Sequence, residues 1–466
     1  MKLVNYSKLL FYIIVLVIAF YYPYISLVLL LISLFIQFTS PTLKLNNISN
    51  SILNNIADND VLIGTENDNK IYLTDNELNQ HALIIGTTGS GKTTTILNFV
   101  KHCAQHNLPC IYLDGKGEFS LIDKMRQLAK QYNRTFKVFC LRPDNKIENL
   151  AGYNPFGSGN ATEWKNRIMA LFLAVSSKGQ EHFSLGEQNY INFVAQVLYR
   201  LQKTVDLRVF LAFLENPDKL LSVAHDLDAS LAQKIAKLNA DKNLSVLLGD
   251  VLKLLELFIY SDYGWLFNTT KLENVINIKQ SIQNQEIILF LFDASSYPED
   301  TNKIAKMVIS DINSSFSGFD KFTKCYCIFD EFASYASPNL AETISLQRSR
   351  GMHAIIGTQS IATVRLKSSD TKRVAEELLA CCNTYIVQKI NHDEDSQIMA
   401  KIIGITDNTK VSIALHGNDQ RSINYNKQQD YKISPQEFKD LKSGEAIIAR
   451  KVPQILHHKI KITYVL

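Results

Sequence analysis

The chain has 466 residues, 46% of them hydrophobic, and 49 Lys and Arg against 45 Asp and Glu. That supports a sizeable core, on the scale of about three domains or one large core with an insertion. Lys2, Lys8 and Lys44 supply three of the four net positive charges, so the rest of the chain lacks the overall basic balance of a nucleic-acid binder. The seven cysteines, Cys103, Cys110, Cys140, Cys325, Cys327, Cys381 and Cys382, are odd in number and contain no CxxC pair, which argues against a zinc site and a disulfide framework and fits a reducing cytosol.

Residues Leu9 to Phe38 carry no charged side chain. As one helix they would span about 45 Å, against about 30 Å of hydrocarbon. Tyr21-Tyr22-Pro23-Tyr24 near the middle marks a turn at a membrane face. Residues 1–44 therefore read as an N-terminal transmembrane anchor of two short spans, 4–22 and 24–40, with Lys2, Lys8 and Lys44 on the cytoplasmic side; a single tilted span is the alternative. Residues 45–60, rich in Asn, Ser and Asp, read as a linker. Val61–Gly64 and Lys70–Leu73 read as a hairpin leading into the next strand.

That strand opens the most informative stretch, HALIIGTTGSGKTTT, over His81–Thr95. Gly86, Gly91, Lys92 and Thr93 fit G-x-x-x-x-G-K-[ST], with an apolar strand before and helical spacing after, the layout of a P-loop. Glycines let successive backbone N–H groups turn inward around a phosphate, and the helix N-terminus adds partial positive charge. Gly86, Thr87, Thr88, Gly89, Ser90, Gly91, Lys92, Thr93 and Thr94 are the expected nucleotide-binding residues. Lys92 would reach the β- and γ-phosphates of ATP, and the Thr93 hydroxyl would ligate Mg²⁺.

Cys110–Asp114 and Val138–Leu141 are further strands, and the alternation with helices implies a parallel sheet covered on both faces. From 157 to 280 apolar residues recur at three- and four-residue steps, an inserted all-helical domain that is neutral in charge. The nucleotide-binding domain thus divides into 61–156 and 281–466. Strands resume at Ile287–Phe292, Cys325–Phe329, Ile355–Gln359, Tyr385–Val387 and Ala446–Ala449.

A P-loop needs an acidic residue after a buried strand to hydrolyse its nucleotide. Tyr326-Cys327-Ile328-Phe329-Asp330-Glu331 fits this Walker B pattern: Asp330 would hold Mg²⁺, and Glu331 would orient the attacking water. Asp293 also follows an apolar strand but lacks the second carboxylate. Gln359, at a strand end, could sense the γ-phosphate. Arg348 and Arg350 are candidates for an arginine supplied across a subunit interface, or are solvated helix-end residues. Lys367, Lys372 and Arg373 are candidates for a DNA-contacting loop, against the alternative of a solvated helix face.

Assembled in order, these residues resemble the type IV coupling proteins, the TraG/TraD-like ATPases of conjugation and type IV secretion. The resemblance runs over most of residues 60–450. It rests on the P-loop stretch, YLDGKGE, Tyr153-Asn154-Pro155, IFDEFASY, QRSRGMHAIIGTQS, NTYIVQ, DEDSQIMAKIIG and LKSGEAIIA. It implies a RecA-like α/β core of the FtsK–HerA superfamily, a homo-hexameric ring at the bacterial inner membrane with its ATPase domain in the cytoplasm, and contact with secretion-channel components. It also implies that ATP hydrolysis drives relaxase-linked single-stranded DNA or protein effectors into the channel. Carried onto this chain, Lys92, Glu331, Gln359 and Arg348 are the catalytic residues, with Arg350 the fallback for Arg348, and Thr93 and Asp330 hold the metal. Gly115 departs from the family, which usually has proline in Asp-Pro-Lys-Gly-Glu, and is expected to loosen that turn. Other readings are an FtsK-like DNA pump, or a nucleotide-binding platform that recruits cargo with little hydrolysis.

Overall fold

Four- to seven-residue runs of Ala, Val, Ile, Leu, Phe and Cys are too short for independent helices and too apolar for a solvated face, so they become strands buried on both sides. The computed structural model describes residues 60–144, 147–172, 185–241, 244–367, 369–416, 420–452 and 456–465. The expected membrane anchor over 1–44 and the linker up to residue 59 lie outside them. No helix among the described residues is long and apolar enough to cross a membrane.

The chain begins with β1 (Val61–Glu66), β2 (Asn69–Leu73) and the short α1 (Asp75–Leu78). The hairpin turn is tighter than expected: Asn67 and Asp68 both have positive φ, the two-residue turn that Asn and Asp tolerate. Next come β3 (Ala82–Ile85), α2 (Lys92–Gln105), β4 (Cys110–Asp114), α3 (Ser120–Gln131), β5 (Phe136–Cys140) and β6 (Gly152–Tyr153). The helical stretch comprises α4 (Ala161–Phe172), α5 (Leu185–Arg200), α6 (Leu207–Leu214), α7 (Pro217–Leu227), α8 (Ala229–Asn239) and α9 (Leu244–Ile259). The sheet then resumes through β7 (Val275–Ile276), α10 (Ile278–Gln283), β8 (Ile287–Leu291), α11 (Pro298–Ser317), β9 (Cys325–Asp330), α12 (Pro338–Gln347) and β10 (Met352–Thr358). The last elements are α13 (Ile361–Lys367), α14 (Ser369–Cys381), β11 (Thr384–Val387), α15 (Asp393–Ile403), β12 (Ile405–His416), β13 (Gln420–Tyr431), α16 (Pro435–Lys439), β14 (Glu445–Arg450) and β15 (Leu456–Ile462).

An eleven-stranded sheet has the order β2-β1-β15-β14-β11-β3-β10-β9-β4-β8-β5. From β11 to β5 all neighbours are parallel; β14, β15, β1 and β2 extend that edge in antiparallel fashion. Successive residues of each central strand feed opposite cores. Leu83 and Ile85 join the core that also takes in the helical stretch, while Ala82 and Ile84 join the core under α2 and α3. Two antiparallel strands, β12 and β13, form a separate ladder that the sequence reading did not anticipate.

The helical stretch is joined to the sheet by the Tyr153-Asn154-Pro155 segment. The Tyr153 hydroxyl donates to Asp311 on α11 at 2.9 Å, Asn154 Nδ2 donates to the Val205 carbonyl at 2.9 Å, and Arg167 on α4 donates to the Pro155 carbonyl at 2.6 Å. Arg167 also lies 2.9 Å from Asp311, both fully buried. Burial raises the Asp311 pKa, opposed by Arg167 and Tyr153. Removing either partner of such a pair leaves an uncompensated buried charge.

Candidate nucleotide site

In a parallel sheet the loops at the strand C-terminal ends share one edge, and β3, β4, β9 and β10 are neighbours there. A cavity of about 320 Å³ opens at that edge. Thr87, Thr88, Gly89, Gly91, Lys92, Thr93 and Thr94 line one side; Lys116, Asp330, Glu331, Gln359, Ser443 and Tyr464 face them. Gly89 and Gly91 have φ of +79° and +106°, so the loop takes a left-handed path that a side chain would strain, and Gly91 hands over directly to α2.

Lys92 is buried, and its ammonium donates to the Gly86 carbonyl at 2.7 Å and lies 3.7 Å from Glu331. Burial lowers its pKa, while Glu331 and Asp330 oppose that. Asp330, the last residue of β9, accepts from the Tyr112 hydroxyl at 3.0 Å and from the Glu331 backbone N–H at 2.9 Å. Burial, then the charge of Glu331, raises its pKa. Gly357 on β10 has no room for a side chain, because a Cβ there would lie 2.4 Å from Asp330 Oδ1. Glu331 has a left-handed backbone, φ +49° and ψ +43°. Gln359 donates through Nε2 to Glu331 at 2.9 Å, and its Oε1 accepts from the Thr88 hydroxyl at 3.1 Å. A polar chain Thr88–Gln359–Glu331–Lys92 therefore crosses the cavity from the P-loop and back. A hydroxyl and a carboxylate, Thr93 and Asp330, share the cavity wall, a donor set suited to a hard cation such as Mg²⁺.

Asp114 on β4 stands in register with Asp330 and is buried. Burial, then the neighbouring Asp330 charge, pushes its pKa up to about 7, against the N–H groups of the following turn. Its Oδ2 accepts from the Gly117 N–H at 2.8 Å and so folds the turn that carries Lys116 to the cavity. Lys116 is paired with Glu118 at 2.7 Å. Gly115, expected to loosen this turn, is tied down: its N–H donates to the Asp330 carbonyl at 3.2 Å, a bond proline could not make.

Several candidates fall elsewhere. Asp293 is not in the cavity wall. Burial raises its pKa, but hydrogen bonds from Ser295, Ser296 and Arg142 outweigh this and hold it at about 2. Arg348 and Arg350 sit at the entry to β10, about 20 Å along the strand from Gln359, so neither reaches this site within one chain. Both are exposed, but they differ: Arg350 donates to the Ser317 carbonyl at 2.7 Å, a tie to α11. Lys372 and Arg373 are exposed on α14, Arg373 pairing with Glu377 at 3.3 Å; the Lys367 side chain lies outside those described.

Sequence reasoning did not single out the residues bracing the P-loop. Gln388, just past β11, accepts from the Ser90 hydroxyl at 2.9 Å and donates to the Thr95 hydroxyl at 2.7 Å. The Ser443 hydroxyl donates to the Gly89 carbonyl at 2.8 Å, and the Gly444 N–H donates to the Ser90 carbonyl at 3.1 Å. All three residues lie in stretches quoted for the family resemblance, Gln388 in NTYIVQ and Ser443 and Gly444 in LKSGEAIIA, which was the available signal.

Comparison with known proteins adds lineage to this geometry. Residues 61–313 match the family "Helicase HerA, central domain", and residues 324–443 match "TraM recognition site of TraD and TraG". The chain belongs to the HerA helicase central-domain family and, within the FtsK–HerA superfamily, to its type IV coupling proteins. It is 23% identical over 453 residues to the type 4 coupling protein DotL of Legionella pneumophila, a match covering 81% of this chain and 57% of DotL. The chain thus spans little more than half the length of that relative. Its fold is similar to the bacterial conjugative coupling protein TrwB (TM-score 0.59, 13% identity, 87% of this chain and 89% of TrwB). It is also similar to VirB4 of Thermoanaerobacter pseudethanolicus (TM-score 0.55, 10% identity, 87% and 96%). Another TrwB structure is a complex with ADP and Mg²⁺.

Proposed function

We propose that this coupling protein is a membrane-anchored ATPase that recruits DNA, protein or both and drives it into a type IV secretion channel. One observation carries the ATPase reading: the P-loop, the Walker B carboxylates and a strand-end glutamine meet in one cavity through the Thr88–Gln359–Glu331–Lys92 chain. In this reading the P-loop N–H groups and Lys92 hold the phosphates. Asp330 and the Thr93 hydroxyl hold Mg²⁺, which neutralises charge on the β- and γ-oxygens when bound. Glu331 accepts a proton from the attacking water, and Gln359 couples its position to the P-loop. Arg348, exposed and far from its own cavity, is the residue offered to a neighbouring subunit of a homo-hexameric ring. The apolar segment before residue 45 would anchor the ring in the bacterial inner membrane, and the segment 324–443 is where a TraM-like adaptor would dock.

The test is Glu331→Gln in the full chain. Nucleotide binding should stay within a few-fold of wild type while phosphate release falls at least about a hundredfold, the usual scale for losing a general base. Turnover that survives would remove Glu331 from the mechanism. A single-stranded DNA titration across salt separates cargo classes: stimulation that fades with salt indicates DNA handling.

A further inference from the structure

Among the described residues, the cavity wall contains one large aromatic side chain, Tyr464, and the nucleotide reading has not used it. Tyr464 is 70% exposed, yet its neighbours are fixed. The Thr463 N–H donates to the Ile63 carbonyl at 2.9 Å, and Val465 packs against the core under α2. Strand topology explains how it gets there. β14 is antiparallel to β11, and β15 to β14, so β15 runs in the same direction as β3 and delivers its exit to the edge where the P-loop lies. The approach is then locked. Asn98 Nδ2, on α2, donates both to the Thr94 carbonyl at 3.1 Å and to the Thr463 carbonyl at 3.0 Å. The Ile462 N–H donates to the Gly444 carbonyl at 2.8 Å, beside the Gly444 N–H that holds Ser90. The P-loop and the Tyr464 backbone are therefore parts of one hydrogen-bonded frame.

The chemistry of the wall is uneven. Lys116, Glu331 and Gln359 gather the charged and amide groups at the Walker B side, where a γ-phosphate is handled. Tyr464 stands with Ser443 and offers a flat apolar face with no charge. We propose that Tyr464 is the base platform of this site: the purine of a bound nucleotide stacks on its ring, while the P-loop holds the phosphates. This rests on the nucleotide-site reading above. Stacking reads a π-face rather than an edge, so the platform holds adenine and guanine alike and contributes affinity rather than choice between them.

The experiment measures ADP, GDP and tripolyphosphate binding with Mg²⁺, by calorimetry, to the full chain and to Tyr464→Ala and Tyr464→Phe. Tyr464→Ala should weaken ADP and GDP by about tenfold each, on the scale of one base–aromatic stack. Tyr464→Phe should restore both to within about twofold, since the ring is what stacks. Tripolyphosphate, which has no base, should bind all three proteins equally. Unchanged ADP affinity in Tyr464→Ala overturns the proposal, as does a parallel loss of tripolyphosphate, which would mean that Tyr464 acts on the loop and not on the base. If the wild-type chain binds neither ADP nor tripolyphosphate, the nucleotide site itself is wrong and the platform falls with it.

Discussion

Gly357→Ala is a sharp test of how the Walker B carboxylate is placed. The added Cβ would lie 2.4 Å from Asp330 Oδ1, whereas ordinary van der Waals contact begins at 3.4 Å. The carboxylate or the strand must give way by about 1 Å. Asp330 has little freedom to do so, because the Tyr112 hydroxyl and the Glu331 N–H hold its two oxygens. A displacement of this size in a reacting group costs about a hundredfold in rate. Overpacking should cost stability as well, about 1–3 kcal/mol. The two effects separate experimentally. Phosphate release, followed over a Mg²⁺ titration, should fall about a hundredfold at saturating ATP and need more Mg²⁺ for half-maximal rate. ADP binding without Mg²⁺ should stay near wild type, since the P-loop is untouched. Urea unfolding reports the stability term independently. A variant that turns over within threefold of wild type at wild-type Mg²⁺ demand would mean that Asp330 is not held at this position for catalysis.

Two further expectations concern the far end of the same strand. Arg348→Ala should leave the unfolding midpoint unchanged and lower turnover of the assembled protein at least about a hundredfold, while Arg350→Ala, which loses its solvent-exposed bond to the Ser317 carbonyl, should cost about 1 kcal/mol of stability; the reverse pattern would exchange their roles. His81 is buried with Nε2 on the Ile344 carbonyl and Nδ1 accepting the Ala354 N–H, so it is held neutral, and burial first lowers its pKa to about 4. A depressed histidine pKa means that the unfolded chain binds the extra proton. Its contribution is whole above pH 6.5 and is lost as pH falls towards 4, about 3 kcal/mol in all. Urea unfolding of wild type and His81→Asn at pH 7.5 and 4.5 checks this, and equal pH sensitivity in the two proteins would refute it.

Much of the site was legible because its chemistry is local in sequence. Lys92 and Thr93 share one motif, and Asp330 and Glu331 are adjacent at the end of an unbroken apolar run. The central strands were legible because both of their faces are buried. The β12–β13 ladder escaped, although Val411 and Ile413 stand in register with Tyr425 and Ile423; the mostly polar residues of β13 obscure that period. β15 escaped because only Ile460 and Ile462 of its seven residues are buried. Gln388, Ser443 and Tyr464 could not be placed from sequence, since Gln388 meets the P-loop only once β11 has paired with β3, and Ser443 and Tyr464 only once the antiparallel edge has formed beyond it.

The left-handed backbone at Glu331 has a consequence for any attempt to improve this protein. A side chain at that position costs about 1 kcal/mol relative to glycine. The molecule therefore bears a local penalty to keep at the turn the carboxylate proposed to act on the attacking water. A library sorted by heat resistance alone would drift away from glutamate there and enrich hardier, inert chains, so selection for robustness has to be coupled to turnover from the first round.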